Sequence, residues 1–153
     1  TMTGGRLKKI QKYIGNETFC FTYGDSLNNV NILNIIKLHK QKKSLATVTI
    51  CHPPEKYGIL KLKNDTVVKF EEKPERSDEW VNAGYFVLEP QIFKFIKDDS
   101  TIWENEPMKK LVSLGQLVAF KHTGFYQSMD TISDKNYLEK LWNKGNAPWL
   151  IEK

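Results

Sequence analysis

The sequence lacks the features that mark membrane-spanning proteins and disulfide-stabilised secreted proteins. Its 153 residues contain no apolar run approaching the roughly 20 residues that a membrane-spanning helix needs, and its start shows no signal-peptide pattern. The two cysteines, Cys20 and Cys51, both lie in apolar stretches, where a reduced and buried thiol is the usual state. We therefore expect a soluble, cytoplasmic protein with no membrane partner.

Short catalytic signatures are missing as well. The three histidines, His39, His52 and His122, are scattered along the chain and form no Cys/His cluster with the spacing of a zinc site. Neither the Gly-x-Ser-x-Gly turn of serine hydrolases nor a Gly-x-x-x-x-Gly-Lys phosphate loop occurs. We expect each histidine to be hydrogen-bonded inside the protein or solvated, and no single motif defines a reaction.

Positive charge is concentrated near the beginning of the chain. Residues 1–43 carry eight Lys and Arg against two Asp and Glu, a net charge of +6, whereas the whole chain has a net charge of +5. These basic residues fall on two predicted helices without interleaved aromatic residues, so a solvated helix surface is favoured over a nucleic-acid site. The same field would attract a small anionic substrate.

The remaining pattern is that of one α/β domain. Hydrophobic residues make up 40% of the chain, which is enough for a substantial core. Strand-like apolar runs alternate with helical spacings, and a strand–helix–strand order implies parallel neighbours, here 18–22 and 45–51. We predict a mixed, mostly parallel sheet flanked by helices. The predicted strands are 18–22, 45–51, 59–63, 66–70, 85–88 and 117–120, and the predicted helices lie at about 7–14, 31–43, 90–97, 104–114 and 131–144.

Charged residues follow several of these strands. The apolar run 19–23 leads into a Gly24-Asp25 turn. Asp25 either caps this turn or holds a ligand, since open α/β sheets bind ligands at the carboxyl ends of their strands. Glu72 continues the alternation of 66–70 toward the covered side of the sheet, unless it is an exposed strand end. Together with Lys73 and Asp130, these residues supply what a Mg²⁺-dependent reaction on a phosphate requires.

Five motifs give the sequence a specific resemblance. In the same order and over essentially the whole chain, they resemble the sugar-phosphate nucleotidylyltransferases, which implies a Rossmann-like nucleotidyltransferase fold. Segments 101–107 and 141–149 are similar to the cytidylyltransferases of this family, which join CTP and α-D-glucose 1-phosphate into CDP-glucose and pyrophosphate for dideoxysugar and O-antigen-type biosynthesis. The five motifs are Thr3–Leu7, Phe21–Asp25, Phe70–Pro74, Asn82–Leu88 and Gln127–Lys135.

The resemblance also implies a role for individual residues. Asp25 and Asp130 would be the two carboxylates on Mg²⁺, and Gly24 would let the ligand approach the backbone. Lys73 would hold the sugar phosphate and, with the two aspartates, form the catalytic set. The residues implied to contact or flank the sugar are Glu72, Asn82, Tyr57 and Gly58, and those implied on the pyrimidine side are Thr1, Thr3, Gly5 and Arg6.

Two departures from the family pattern limit what the resemblance implies. Ser26 stands where the family usually has a glycine, which matters if the backbone φ angle there is positive. The Gly-rich loop that cradles the triphosphate is not found in the sequence, so we expect a C-terminal part of a longer enzyme, inactive alone and homo-oligomeric when complete. The alternatives are a transferase for another base or sugar phosphate, and a non-catalytic sugar-phosphate-binding remnant.

Overall fold

The computed structural model describes residues 1–53, 59–64, 66–71 and 79–150. A 3₁₀-helix covers Pro90–Phe95. The α-helices are α1 (Thr3–Lys9), α2 (Gln11–Ile14), α3 (Ile32–Lys42), α4 (Glu106–Ser113) and α5 (Ile132–Asn143). The strands are β1 (Phe19–Thr22), β2 (Ser26–Asn28), β3 (Ala46–Cys51), β4 (Ile59–Lys63), β5 (Thr66–Glu71), β6 (Val81–Leu88), β7 (Leu117–Lys121) and β8 (Tyr126–Ser128).

Four of these strands form the central mixed sheet, in the order β1-β6-β3-β7. β6 is antiparallel to both of its neighbours, and β7 is parallel to β3, so β1, β3 and β7 all run in one direction. The predicted direct pairing of 18–22 with 45–51 is therefore wrong, because Phe86 on β6 lies between Phe21 and Val48. β6 takes this central position because its side chains are mostly buried, as an inner strand requires.

The core lies on the face of the sheet that the 3₁₀-helix and α4 cover. Phe86 is fully buried and meets the buried ring of Trp103 edge-on at a centroid distance of 5.9 Å. Phe19 stacks on Phe93 of the 3₁₀-helix at 5.6 Å, so the segment predicted as a helix at 90–97 covers β1. Burial of each such side chain stabilises the fold by about 1.5–3 kcal/mol.

The two cysteines differ in their surroundings. Cys51 is buried and Cys20 is exposed, and both are free thiols. The expectation of a buried thiol is therefore wrong for Cys20, because β1 is an edge strand and its alternate side chains point away from the core. The exposed fraction of Val68 is 58%, so at this position the exposed alternative for β5 holds rather than the covered one, and Glu72 lies outside the described residues. β5 pairs with β4 in a separate two-stranded sheet, as the predicted hairpin required, and this position on it is open to solvent.

Polar contacts attach α3 to the sheet. The Asn31 side chain caps α3 by accepting a hydrogen bond from the backbone N–H of Asn34 at 3.1 Å, as the sequence predicted. His39 is buried; its Nε2 lies 2.9 Å from Glu89 Oε1 and its Nδ1 lies 2.9 Å from Thr47 Oγ1. His39 is thus hydrogen-bonded inside the protein, as expected.

The ends of the described chain depart in part from the sequence prediction. Helical structure begins at Thr3, earlier than the spacing indicated, and is broken at Ile10. α5 begins with the predicted capping box, in which Thr131 and Asp134 bond each other's backbone N–H groups. Within the described residues, no helix is both long and apolar enough to cross a membrane.

Candidate active site

Two of the predicted site residues, Asp25 and Asn82, lie at one edge of the central sheet. This edge holds the carboxyl ends of β1, β3 and β7 and the beginning of the antiparallel β6. Asp25 follows β1, and Asn82 is the second residue of β6. The backbone N–H of Tyr23 donates to the carbonyl oxygen of Gly84 at 2.9 Å, which continues the pairing of the two strands toward this edge. The placement agrees with the edge at which open α/β sheets bind ligands.

A second, small sheet brings Asp25 near Asp130. In it, β2 pairs with β8, and Ser26 lies opposite Ser128. The backbone N–H of Met129 donates to the carbonyl oxygen of Asp25 at 2.7 Å, and both aspartates are exposed. The sequence reasoning missed this pairing because each strand has only three residues and no repeated apolar alternation.

The pKa of Tyr126 is affected by both carboxylates. Burial of its hydroxyl, and then the charges of Cys51, Asp130 and Asp25, raise the pKa of Tyr126 to about 12. Both aspartates therefore act electrostatically on one phenol. The structure brings together two residues that are far apart in the sequence, and their shared metal stays a prediction.

The chemistry of this pair fits Mg²⁺. Magnesium prefers oxygen ligands and is commonly held by one or two carboxylates, with substrate phosphates and water completing the shell. Among the residues that the structure describes, no group of three or more His, Cys, Asp or Glu side chains is placed to hold a metal. Asp25 and Asp130 thus suit an ion that is bound together with a phosphate better than they suit an ion enclosed by protein ligands.

The segment that carries Asp130 is held by the start of α5. Asp134 is buried, and its Oδ2 accepts hydrogen bonds from the Thr131 backbone N–H at 3.0 Å and from the Thr131 hydroxyl at 2.8 Å. Gln127 Nε2 donates to Asp134 Oδ1 at 3.1 Å. These contacts fix the residues on both sides of Asp130 while its own carboxylate stays exposed.

Ser26 raises no conflict with the turn. It begins β2, and it is not among the positive-φ residues of the described chain. A serine therefore fits here without backbone strain, although the family usually has a glycine at this position. Gly24 is exposed, and a Cβ atom at this position would meet nothing within 4 Å. The backbone at Gly24 is thus open to an approaching ligand.

A hydrogen-bonded group joins two further predicted site residues, Thr3 and Asn82. Glu104 Oε2 accepts from the Thr3 hydroxyl at 2.7 Å, and Glu104 Oε1 accepts a short hydrogen bond from the Tyr23 hydroxyl. Asn82 Nδ2 donates to the Tyr23 hydroxyl at 3.4 Å. Burial and the Glu104 carboxylate raise the pKa of Tyr23 well above its usual value of 10.0, which keeps the hydroxyl protonated.

Gly84 holds Tyr23 in place within this group. Its φ angle is +73°, a value that glycine adopts at little cost and other residues rarely adopt. A Cβ atom at this position would lie 2.7 Å from Tyr23 Cδ2, so the tyrosine ring packs directly on the glycine backbone. The predicted motif at 82–88 thus contains a glycine that this contact requires.

The beginning of the chain packs against 99–101. The backbone N–H of Gly5 donates to the carbonyl oxygen of Thr101 at 3.2 Å, and a Cβ atom on Gly5 would lie 2.5 Å from the carbonyl oxygen of Asp99. Close backbone packing therefore accounts for glycine at position 5. Thr1 and Arg6 are exposed, and Arg6 Nε donates to the Thr1 carbonyl oxygen at 3.0 Å. Of the residues predicted on the pyrimidine side, Thr3 is the one that contacts Glu104.

The remaining sugar-side predictions cannot be placed in the same way. Those at Tyr57, Gly58, Glu72 and Lys73 lie outside the described residues. Sequence reasoning missed an aromatic contact directly before β6. The rings of His52 and Trp80 have centroids 4.0 Å apart, and Lys121 Nζ lies 5.1 Å from the Trp80 ring centroid.

Sequence reasoning also missed Tyr23 and Glu104 as site residues. In the sequence, Tyr23 belongs to an apolar, strand-like run, and it lies 81 residues away from Glu104. One local signal could have indicated Glu104, which directly follows Trp103 in a segment already noted for its family resemblance. Trp103 is fully buried in the structure.

Sequence comparisons relate the chain to known proteins. Residues 3–127 match the nucleotidyl transferase family. The chain is 45% identical over 150 residues to a glucose-1-phosphate cytidylyltransferase of Salmonella typhimurium, an alignment that covers 97% of this chain and 58% of that protein. It is 38% identical to a probable glucose-1-phosphate cytidylyltransferase of Bacillus subtilis, in an alignment that covers 99% of this chain and 59% of that protein. The chain therefore spans about three-fifths of the length of these curated relatives.

Solved structures with low sequence identity share the fold. The apo-UDP-glucose pyrophosphorylase structure gives a TM-score of 0.67 at 15% identity, covering 94% of this chain and 60% of that one. HddC from Yersinia pseudotuberculosis also gives a TM-score of 0.67, at 21% identity, and the match covers 92% of this chain and 62% of that one. The family resemblance and the fold class inferred from the sequence are confirmed.

Proposed function

Because the chain belongs to the nucleotidyl transferase family, we propose that it carries out the sugar-phosphate and metal-binding part of a reaction that transfers CMP from CTP to α-D-glucose 1-phosphate. The products would be CDP-glucose and pyrophosphate, for dideoxysugar or O-antigen-type biosynthesis. The observation that carries the proposal is the proximity of Asp25 and Asp130 at the sheet edge that also holds Asn82. The 45% identity to the Salmonella typhimurium cytidylyltransferase supports the choice of base and sugar.

The reaction needs no covalent bond between the protein and a substrate. A phosphate oxygen of glucose 1-phosphate attacks the α-phosphorus of CTP in line, the bond from that phosphorus to the bridging oxygen breaks, and pyrophosphate leaves with the bonding electrons. The attacking oxygen carries no proton that a general base must remove. Catalysis then depends on positioning the two phosphates and neutralising their charge.

Each part of the site has a proposed task. Asp25 and Asp130 would hold Mg²⁺, which when bound neutralises phosphate charge and orients the reacting groups. Lys73 would bind the phosphate of the sugar. The hydroxyls of the sugar would be bound by Asn82 and Glu72 beside Tyr57 and Gly58, and the pyrimidine would lie near Thr1, Thr3, Gly5 and Arg6.

Turnover would need a triphosphate-binding loop in addition to these residues. The sequence contains no Gly-rich loop of that kind. In such a loop, the backbone N–H groups supply affinity for the phosphates and fix the in-line geometry. A misplacement of the reacting groups by about 1 Å costs on the order of 100-fold in rate. We therefore expect the 153-residue chain to be inactive alone.

The test compares the chain alone with a chimera that joins it to the part of the Salmonella typhimurium relative that it does not match. Product formation is measured with glucose 1-phosphate, Mg²⁺ and each of CTP, UTP, dTTP and GTP. We expect the chimera to form CDP-glucose from CTP and the chain alone to release no pyrophosphate.

The other outcomes separate the alternatives. Activity of the chimera with a different nucleotide would identify a transferase for another base. Binding of glucose 1-phosphate without turnover in the chimera would favour a non-catalytic protein. Robust pyrophosphate release by the chain alone would contradict the assignment of roles within the site. The unmatched part of the relative, assayed alone, is the control for background activity.

A further inference from the structure

The Glu104 carboxylate lies between two separate parts of the site. Its Oε2 accepts from the hydroxyl of Thr3, which is 101 residues away in the sequence, and its Oε1 accepts from the hydroxyl of Tyr23, which is 81 residues away. Thr3 Oγ1 in turn accepts from the backbone N–H of Trp103 at 2.9 Å. One carboxylate therefore ties the start of α1 to the end of β1.

The hydrogen bonds beyond Tyr23 all run in one direction. The backbone N–H of Gly84 donates to Asn82 Oδ1 at 2.8 Å, and Asn82 Nδ2 donates to the Tyr23 hydroxyl, which donates to Glu104. A carboxylate only accepts hydrogen bonds, so both hydroxyl protons point toward it. This polarity fixes which end of the Asn82 amide faces Gly84 and which end faces Tyr23.

Glu104 itself is well anchored although it is exposed. Trp103, the preceding residue, is fully buried against Phe86, and Pro107 is buried in the first turn of α4. The backbone on both sides is thereby fixed, while the carboxylate reaches across to Thr3 and Tyr23. An exposed carboxylate contributes little to folding stability, so this arrangement suits orientation of neighbours better than it suits stabilisation of the core.

We propose that Glu104 is a positioning residue for the transfer reaction. Its carboxylate orients the Thr3 hydroxyl on the pyrimidine side and, through Tyr23, the Asn82 amide on the sugar side, so that one group sets the geometry of both substrate sites. The inference rests on the proposed function for the identity of the two substrates. The orientation of the Asn82 amide does not depend on that identity.

The kinetic test uses the active chimera and a set of matched variants. Glu104→Gln keeps the shape but accepts through one oxygen only, so we expect the KM to rise at least about fivefold for both CTP and glucose 1-phosphate. Tyr23→Phe should raise mainly the KM for glucose 1-phosphate, and Thr3→Val mainly that for CTP, while Thr3→Ser keeps the hydroxyl and should raise the KM for CTP less than Thr3→Val does. Glu106→Gln, which alters an exposed ion pair with Lys97, is the control and should change neither KM.

The second test needs no turnover. The side-chain NH₂ resonances of Asn82 are followed by ¹H–¹⁵N NMR in the 153-residue chain. Glu104→Gln and Tyr23→Phe should both shift them, and Glu106→Gln should not. An inactive wild-type chimera combined with shifted Asn82 resonances would overturn the proposed function and leave Glu104 as a positioning residue.

Other results would overturn the inference itself. Unchanged Asn82 resonances in Glu104→Gln would do so, as would KM values in that variant equal to those of Glu106→Gln. An equal loss of kcat in Glu104→Gln, Tyr23→Phe and Thr3→Val, without any difference between the two KM values and with a lower melting temperature, would assign Glu104 a structural role only.

Discussion

The backbone N–H of Met129 donates a 2.7 Å hydrogen bond to the carbonyl oxygen of Asp25. This bond extends the pairing of β2 with β8 by one step and places the next residue, Asp130, beside the loop that carries Asp25. The bond uses main-chain atoms only, so both carboxylates stay available to a ligand. The fold thus brings these two acids close together and leaves both exposed.

The two carboxylates should be indispensable for turnover. Asp25→Ala and Asp130→Ala, each made in the active chimera, should reduce the rate of CDP-glucose formation by at least about 100-fold, since loss of a metal ligand removes several kcal/mol of charge stabilisation. Melting temperature and circular dichroism should stay close to wild type because both side chains are exposed. Glu139→Ala, at an exposed acid on α5 that pairs with Lys135, is the control. Wild-type turnover in either aspartate variant counts against the proposed roles.

Loss of Lys73 should weaken the binding of one substrate, glucose 1-phosphate. Deleting a charged partner of a phosphate costs about 1.5–3 kcal/mol, so Lys73→Ala should raise the KM for glucose 1-phosphate by roughly 10- to 150-fold. The KM for CTP should change far less. Lys109→Ala, at an exposed lysine of α4, controls for the general loss of positive charge. Equal increases in both KM values would point to unfolding.

Gly84 and Gly115 form a matched pair for testing the Tyr23 contact. Both have positive φ angles, +73° and +64°, but an added Cβ meets Tyr23 at Gly84 and nothing within 4 Å at Gly115. Gly115→Ala should therefore lower the free energy of unfolding by about 1 kcal/mol through backbone strain alone. Gly84→Ala should cost clearly more, as measured by urea denaturation, and should shift the tyrosine ring. Equal losses of stability would mean that the ring moves aside freely.

Alkaline pH should weaken the fold through Tyr126. Its pKa is raised from 10.0 to about 12 in the folded protein, so the unfolded state loses this proton first as the pH rises. The stabilisation is complete below pH 10 and is lost progressively between about pH 10 and 12. Urea denaturation at several pH values should show a shallower alkaline loss for Tyr126→Phe than for wild type. Tyr13→Phe, at a tyrosine that is 78% exposed, should leave the profile unchanged.

Local chemistry made part of this fold predictable. The Thr131 and Asp134 spacing encodes the cap of α5, and Asn31 encodes the cap of α3, because both sets of contacts lie within a few residues. The order of the central strands was not predictable in this way. The strand–helix–strand order predicts the relative direction of β1 and β3 but does not show that β6, much later in the chain, lies between them.

Sequence motifs pointed to Asp25, Asn82 and Asp130 as candidates but did not show how the parts of the site are connected. Asp25 follows one apolar run and Asn82 precedes another, whereas Asp130 was indicated by the family resemblance of 127–135. The link through Glu104 and Tyr23 depends on contacts across 81 and 101 residues, which no local pattern encodes.

Mn²⁺ binding tests most directly whether Asp25 and Asp130 hold one divalent ion, as we propose. Electron paramagnetic resonance can count the ions bound per chain in the presence of CTP for wild type, Asp25→Asn and Asp130→Asn. We expect one ion in the wild-type protein and an affinity at least roughly tenfold weaker in each variant, because each loses one of two protein carboxylate ligands. Wild-type affinity in either variant, or two independent ions per chain of which each variant loses one, would contradict a shared metal site.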